Sequence, residues 1–389
     1  MKFLHLGDLH LGKSLGEYSL IDDQRYILDQ ITKMAGQAKA DGDEVALLIA
    51  GDVFDRLIPS EAAVNLLDQF LFELSKEKIS TFVISGNHDS DERLHYGSRF
   101  FERSGVYICS VFDGTLKSYT LKDAYGEINV WMLPFVKASQ VRHFFPDEKI
   151  ETYEEAVRVI LRHAPIDSKQ RNVLVAHQFV CGQSIDPILA GSEGVLAQSV
   201  GLVEKIGADV FDDFDYVALG HIHTPQHVGR ETVRYSGSPL KYSLAEARAD
   251  KSVPLITMRE KGKVGIELLP LQPKRDLRHI KGPMKELLDP ANVMATDDFI
   301  YATLTDEDSV PEAMSIFRAT YPNMVRLDYD NAHTREIALT DAMISAEVRS
   351  FSEMIADFYT KMYGCEISEE EMQIMKQIAG KAGVASEAD

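Results

Sequence analysis

Cysteine is scarce and scattered. The 389 residues hold three, Cys109, Cys181 and Cys365, with no CxxC pair among them. That usage excludes a disulfide framework and predicts a reducing, cytoplasmic setting. No apolar run approaches the ~18 consecutive residues of a membrane span, so no membrane partner is expected. Asp8 brings an acid too early for a signal peptide, and none is expected. Internal repeats and low-complexity tracts are missing too. Basic charge is the last shortage: 41 Lys plus Arg face 61 Asp plus Glu, a formal net charge of −20. Such a chain does not coat nucleic acid by bulk attraction, although a local site remains open to it. The deficit is uneven, since residues 290–389 hold 19 acids and 7 bases, and so carry most of the excess.

The remaining composition, 45% apolar and 26% charged, is that of a globular chain and argues against wholesale disorder. The length predicts two or three domains. In the first half, short apolar runs at Phe3–Leu6, Val45–Ala50 and Thr81–Ser85 read as buried strands. Amphipathic stretches at Asp22–Ala40 and Ser60–Lys76 separate them, the second opening on a Pro59-Ser60-Glu61 cap. This alternation implies βαβ units. From Val106 the pattern turns β-rich, with a hairpin at Thr115–Leu121 and Glu127–Leu133. A helix near Glu151–His163, strands at Asn172–Ala176 and Tyr216–Leu219, and further short β segments follow it to Leu269. Together these predict an α/β (α+β) fold, a two-sheet β-sandwich flanked by helices, ending at residue 272. A small α+β unit is expected over 273–333 and a C-terminal helical pair over 334–389.

Five clusters stand at or just after the ends of predicted strands: Gly7-Asp8-Leu9-His10, Gly51-Asp52-Val53-Phe54-Asp55, Gly86-Asn87-His88-Asp89, Ala176-His177-Gln178 and Gly220-His221-Ile222-His223. Ligands of α/β sheets bind at strand C-termini, so these clusters are expected to converge. Residues two apart in extended backbone point the same way, which lets Asp8 with His10, and His221 with His223, each reach one place. Asp, His and Asn are the donors of a hydrolytic divalent-metal site. One competing motif exists, because Gly7–Ser14 satisfies GxxxxGK[ST]. A P-loop there would set the Asp8 carboxylate against a phosphate and leave the other four clusters without a role, so it is rejected. The remaining histidines, His5, His95, His143, His163, His227, His279 and His333, are expected to be structural or surface residues.

The order D-x-H, GDxxD, GNHD, H, GHxH resembles that of the calcineurin-like metallophosphoesterases, which build a two-metal site on a β-sandwich. Asp8–Lys13, Gly51–Asp55 and Tyr235–Leu240 narrow the resemblance to the bacterial nuclease subunits of that family, which work on DNA ends with an SbcC-like coiled-coil ATPase. It rests on motifs over residues 1–275 and on domain plan alone beyond them. It implies two divalent cations, most simply Mn2+, with Asp8, His10 and His223 on one, Asn87, His177 and His221 on the other, and Asp52 between them. His88 would stabilise the transition state or protonate the leaving oxygen, with Asp89 orienting it. Asp55 would accept a hydrogen bond from a ligand histidine, or serve only as a cap or turn residue. The implied activity is double-strand exonuclease and single-strand or hairpin endonuclease. A phosphoesterase for small nucleotides and a non-catalytic DNA-end scaffold are the alternatives.

Arg93 and Arg99 after the third cluster, and Lys274, Arg275 and Arg278 at the domain boundary, could meet DNA phosphates or merely face solvent. Under the resemblance, 276–330 matches a capping domain over the nuclease site. Ile344, Val348, Phe351, Ile355 and Phe358 form an apolar stripe at 4-3-4-3 spacing. The stripe fits a hairpin packed on its own domain, a homodimer contact, or docking onto the ATPase. The resemblance implies a homodimer within a heterotetramer.

Overall fold

A computed structural model describes residues 1–182, 186–189, 205–332, 334, 351–363 and 366–381. In chain order the elements that position the site begin with strand β1 (Lys2–Leu6), helix α1 (Ile21–Ala40), β2 (Val45–Ala50), α2 (Glu61–Lys76), β3 (Ser80–Ile84) and β4 (Val106–Cys109). Then come β5 (Lys117–Asp123), β6 (Gly126–Leu133), α3 (Ala138–Phe144), α4 (Tyr153–His163), β7 (Arg171–His177) and β8 (Tyr216–Gly220). Four further strands complete this part: β9 (Gln226–Val228), β10 (Arg230–Tyr235), β11 (Ser252–Met258) and β12 (Val264–Pro270).

Two six-stranded sheets result, ordered β12-β11-β1-β2-β3-β4 and β9-β10-β8-β7-β6-β5. β1 to β4 run parallel, as do β6, β7, β8 and β10, while β11 joins β1 antiparallel. Side chains alternate between two cores. Ala46, Leu48 and Ala50 of β2 meet Val173, Val175, Tyr216 and Ala218 between the sheets. Leu47 and Ile49 face the core under α1 and α2, and Leu174, Ala176, Val217 and Leu219 face the core that includes α3 and α4 residues. Strands buried on both faces need apolar residues at every position, which is why they read as unbroken apolar runs. The fold is therefore a two-sheet sandwich flanked by helices. Ser60 caps α2, accepting from Ala63 N–H. The strand at Val106–Cys109 and the helix at Ala138–Phe144 lie outside the sequence expectation. Both are short segments whose periodicity spans less than two helical turns.

Two compact units divide the chain. The first comprises Met1–Lys281, Lys285–Ala302 and Glu312–Leu327; the second comprises Gly282–Met284, Thr303–Pro311 and Asp328–Asp389. A third sheet, ordered β13 (Leu277–Gly282), β14 (Phe299–Leu304), β15 (Met324–Tyr329), accompanies helix α5 (Ala313–Thr320). The second unit holds α6 (Phe351–Tyr363) and α7 (Glu369–Lys381), tied by Tyr359 Oη donating to Glu371 Oε1 at 2.7 Å. No helix among the described residues is long and apolar enough to cross a membrane.

Candidate metal centre

Parallel strands with level ends put their following loops side by side. Leu6 of β1 pairs with Ile49, Ala50 with Ile84, and Gly220 with His177. The five clusters thus leave the two sheets at one edge of the sandwich. Asp8, His10, Asp52, His177 and His223 are buried, whereas Asn87, His88 and His221 are partly exposed and mark the open side.

The turns are tight. Asp8, His10, Asp52 and His221 are four of the seven non-glycine residues with positive φ among those described, at 53°, 43°, 49° and 95°. Left-handed backbone at such residues is uncommon and concentrates at functional sites. At Gly86 a Cβ would lie 2.1 Å from Asp52 Oδ1, and at Gly220 1.9 Å from the Ala50 carbonyl oxygen. Glycine precedes these clusters because neighbouring backbone and ligand atoms occupy the space of a side chain.

The donor atoms converge. His10 Nε2 lies 3.0 Å from His223 Nε2 and 3.6 Å from Asp52 Oδ2. His177 Nε2 lies 3.5 Å from Asp52 Oδ2 and 3.0 Å from Asn87 Oδ1, which is also 2.9 Å from His221 Nδ1. Asp8 accepts the His221 main-chain N–H at 2.9 and 3.1 Å. Two groups, Asp8–His10–His223 and Asp8–Asp52–His177, each bring three donor atoms within 4.8 Å of one another. A buried His10 Nδ1 without a hydrogen-bond partner is satisfied poorly by protein alone. Two carboxylates, an amide oxygen and four imidazoles suit divalent cations, and the fold and cluster together fit divalent-metal binding.

Electrostatics point the same way. Burial raises Asp8 to about 6. At Asp52 burial also works upward, but the charges of His177 and His10 outweigh it and hold the carboxyl well below its usual range. Burial pulls His177 down, yet Asp52 and Asp8 overcome it and lift the imidazole to about 9. Burial and neighbouring His177 depress His221 to about 3. A cation must displace the His177 proton, because only neutral imidazole ligates. Cation affinity should therefore weaken by up to about tenfold per pH unit below about 9, with proton release on binding. Calorimetry in buffers of different ionisation enthalpy reads both effects; affinity independent of pH between 6 and 8 would contradict the assignment.

Several expectations change on contact with the geometry. Asp89 does not orient the His88 ring. Its carboxylate accepts the main-chain N–H groups of Val53 (3.0 Å), Phe54 (2.9 Å) and Gly86 (2.9 Å), tying the second cluster to the third. The His88 ring instead meets the Asp55 carbonyl, 3.4 Å from Nδ1, and stands edge-on to His10 at 4.9 Å. The Asp55 carboxylate lies 3.6 Å from His10 Nδ1, short of a hydrogen bond, and pairs with Lys13 Nζ at 2.7 Å. That pair also commits the lysine of the P-loop-like run. His5 is structural: it is fully buried between Tyr216 Oη (2.9 Å) and the Leu219 carbonyl (3.1 Å). Arg275 is engaged by buried Asp23 and lies 4.4 Å over the Phe299 ring. Arg278 pairs with Asp298 at 2.7 Å and reaches the Met294 and Ala295 carbonyls. Both guanidiniums are therefore part-engaged and half-buried, whereas Lys274, Arg93 and Arg99 are exposed. Ile344 and Val348 lie outside the described residues.

One group escaped sequence reading. Glu246, buried on a short turn of helix, accepts from Lys251 Nζ at 2.5 Å and Ser238 Oγ at 3.0 Å, and its Oε1 is 3.8 Å from His223 Nδ1. Lys251 Nζ also donates to the His223 carbonyl at 3.0 Å. The pair braces the loop carrying His223 from behind. A glutamate 23 positions downstream of a histidine carries no spacing signal.

Two family profiles match the chain. Residues 1–225 match the calcineurin-like phosphoesterase family, a span that includes all seven candidate ligands. Residues 273–363 match the SbcD C-terminal family, described as the Type 5 capsule protein repressor C-terminal domain.

Proposed function

The chain belongs to the calcineurin-like phosphoesterase family, and from that premise we propose that it is the manganese-dependent nuclease subunit of an SbcCD-type complex, cutting double-stranded ends exonucleolytically and single strands or hairpins endonucleolytically in cytoplasmic DNA repair, recombination and replication. The observation that carries the proposal is the convergence of Asp8, His10, Asp52, Asn87, His177, His221 and His223 at one sheet edge, in a chain that also matches the SbcD C-terminal family. In this reading Asp8, His10 and His223 would hold one cation and Asn87, His177 and His221 the other, with Asp52, whose Oδ2 lies 3.6 Å from His10 Nε2 and 3.5 Å from His177 Nε2, available to both. The bound cations supply Lewis acidity, which lowers the pKa of water and offsets charge on the phosphoryl oxygens.

The rest is done by the chain. Asp52 Oδ1 accepts the His88 main-chain N–H at 2.8 Å and so fixes the third cluster against the second. The Asp55 carbonyl can only accept, so His88 Nδ1 carries the hydrogen and Nε2 is left to exchange a proton with the leaving oxygen. Asp89 acts through position, holding Gly86, Val53 and Phe54. His177 Nδ1 donates to the Ala50 carbonyl at 2.7 Å, which turns Nε2 toward the ligand set.

The domain division at 272/273 and 333/334 belongs to the same proposal, with 273–333 as a capping domain. The C-terminal helices dock the ATPase: Phe358 and Met362 are exposed, as are Ile374 and Met375, an apolar surface an isolated hairpin would hide. Phe100 and Tyr96, also exposed, suit the homodimer contact. The test is digestion of linear duplex, single-stranded and hairpin DNA with Mn2+ or EDTA, with and without an SbcC-like ATPase. Manganese-dependent cleavage is expected. Cleavage of small diesters alone would reassign the enzyme to small nucleotides, and DNA-end binding without any hydrolysis would make it a scaffold.

A further inference from the structure

A buried polar pair outside the ligand set is committed to the D-x-H loop. From Asp8 to Gly12 the backbone is left-handed at Asp8, His10 and Gly12, with φ of 53°, 43° and 92°. The N–H side of this turn is fastened by the second cluster: Asp8, His10 and Leu11 donate to the Gly51, Asp52 and Val53 carbonyls at 3.1, 2.9 and 2.9 Å. The carbonyl side is fastened by two side chains, Gln24 and Tyr242, both buried. Gln24, in the first turn of α1, donates from Nε2 to the His10 carbonyl at 2.8 Å and the Leu9 carbonyl at 3.2 Å, and its Oε1 accepts the Gly12 N–H at 3.0 Å. Tyr242 Oη donates to the same Leu9 carbonyl at 2.6 Å and accepts from Gln24 Nε2 at 3.3 Å. The Tyr242 ring also stands edge-on to His10 at 5.7 Å and to His223 at 6.0 Å.

We propose that Gln24 and Tyr242 are positioning residues for one cation only, the one assigned to Asp8, His10 and His223. The proposal rests on the two-cation reading and names what holds one half of it. Packing alone does not account for a glutamine here: Ile27, Leu28 and Ile31 fill the same face of α1 with apolar side chains, and glutamine is seldom buried. Both polar atoms of Gln24 are spent on the loop and on Tyr242. Water offers no substitute, because the crevice between Leu9, Leu11, Ile27 and Leu28 has no room for it. Losing Gln24 takes three bonds from the loop at once. Left-handed backbone at Asp8 and His10 persists only while its surroundings impose it, so the loop then relaxes and its two ligands lose their aim. The other half of the centre is fixed from elsewhere, His177 by the Ala50 carbonyl and His221 against Asn87. The same contacts account for the P-loop-like run, since the Gly12 N–H goes to Gln24 and Lys13 to Asp55.

The test is calorimetric titration of the full chain with Mn2+. Wild type should take up two cations. Gln24→Leu should weaken one of them by about 10- to 100-fold, the usual effect of losing a group that orients a metal ligand, and leave the other at its wild-type affinity. Tyr242→Phe, which keeps the ring and loses the hydroxyl, should weaken the same cation by less. In Asn87→Ala, which spares Asp8, His10 and His223, adding Gln24→Leu should weaken the cation that remains. Ile31→Ala is the control for folding: it should lower the melting temperature and keep both affinities. Equal weakening of both cations by Gln24→Leu, or an equal effect of Ile31→Ala on affinity, would make the glutamine a general support and overturn the proposal. Unchanged affinities in Gln24→Leu and Tyr242→Phe would overturn it too. If Gln24→Leu does not fold, Tyr242→Phe decides by the same criterion. A wild type with fewer than two cations refutes the two-cation reading by itself, and an unchanged affinity for the cation it does hold, in either variant, then overturns the clasp.

Discussion

His88→Ala should lower DNA cleavage roughly 100- to 10,000-fold, the range contributed by a positioned general acid or base, while cation affinity stays at the wild-type value. The separation follows from which parts of His88 touch what. Its main-chain N–H, which alanine keeps, is the group bonded to Asp52. Among the described residues its ring meets the Asp55 carbonyl and the edge of His10. Removing the ring therefore takes away a proton donor and leaves the ligand set in place. Metal titration followed by cleavage assays on one DNA substrate checks both halves. An affinity loss matching the rate loss would mean that His88 acts through the cations and would refute its assignment as the acid.

Gly220→Ala should abolish metal binding and destabilise the fold by about 3 kcal/mol or more, the upper range of overpacking in a core. The added Cβ would sit 1.9 Å from the Ala50 oxygen and 2.8 Å from His177 Nδ1, so it drives β8 away from β2 and breaks the bond that aims His177. Gly36→Ala provides the contrast. Gly36 lies in α1 with nothing within 4 Å of a Cβ, and alanine there should raise stability by up to ~1 kcal/mol. Urea denaturation of both variants measures the difference. Wild-type stability in Gly220→Ala would show that the sheets can separate at this edge without loss.

These cases mark what the sequence makes legible. Apolar runs at β1, β2, β3, β7 and β8 declare strands buried on both faces, and clusters of Asp, His and Asn at their ends declare where a site must form. Period and position suffice there because each signal is local. What stays hidden depends on residues far apart in the chain. Arg275 looks like a free basic residue until α1 brings Asp23 to it from 252 positions away. Asp89 looks like a partner for the adjacent His88 until the turn points its carboxylate at three amides. Glu246 and Lys251 look like surface charges until burial makes them a pair. The antiparallel addition of β11 beside β1 is equally silent, since no local pattern states which edge a late strand joins.

His177 belongs to two systems with one ring. Nε2 faces Asn87 and Asp52 on the ligand side, and Nδ1 holds the Ala50 carbonyl of the opposite sheet. A side chain so fastened cannot swing out by rotation alone; freeing it means parting β2 from β7 and β8, strands in the middle of their sheets. Local opening draws on loosely held segments, and this one sits among the most tightly held. The His177 side of the centre should therefore be about as durable as the sandwich itself, with the main-chain amides of β2, β7 and β8 expected among the slowest to exchange.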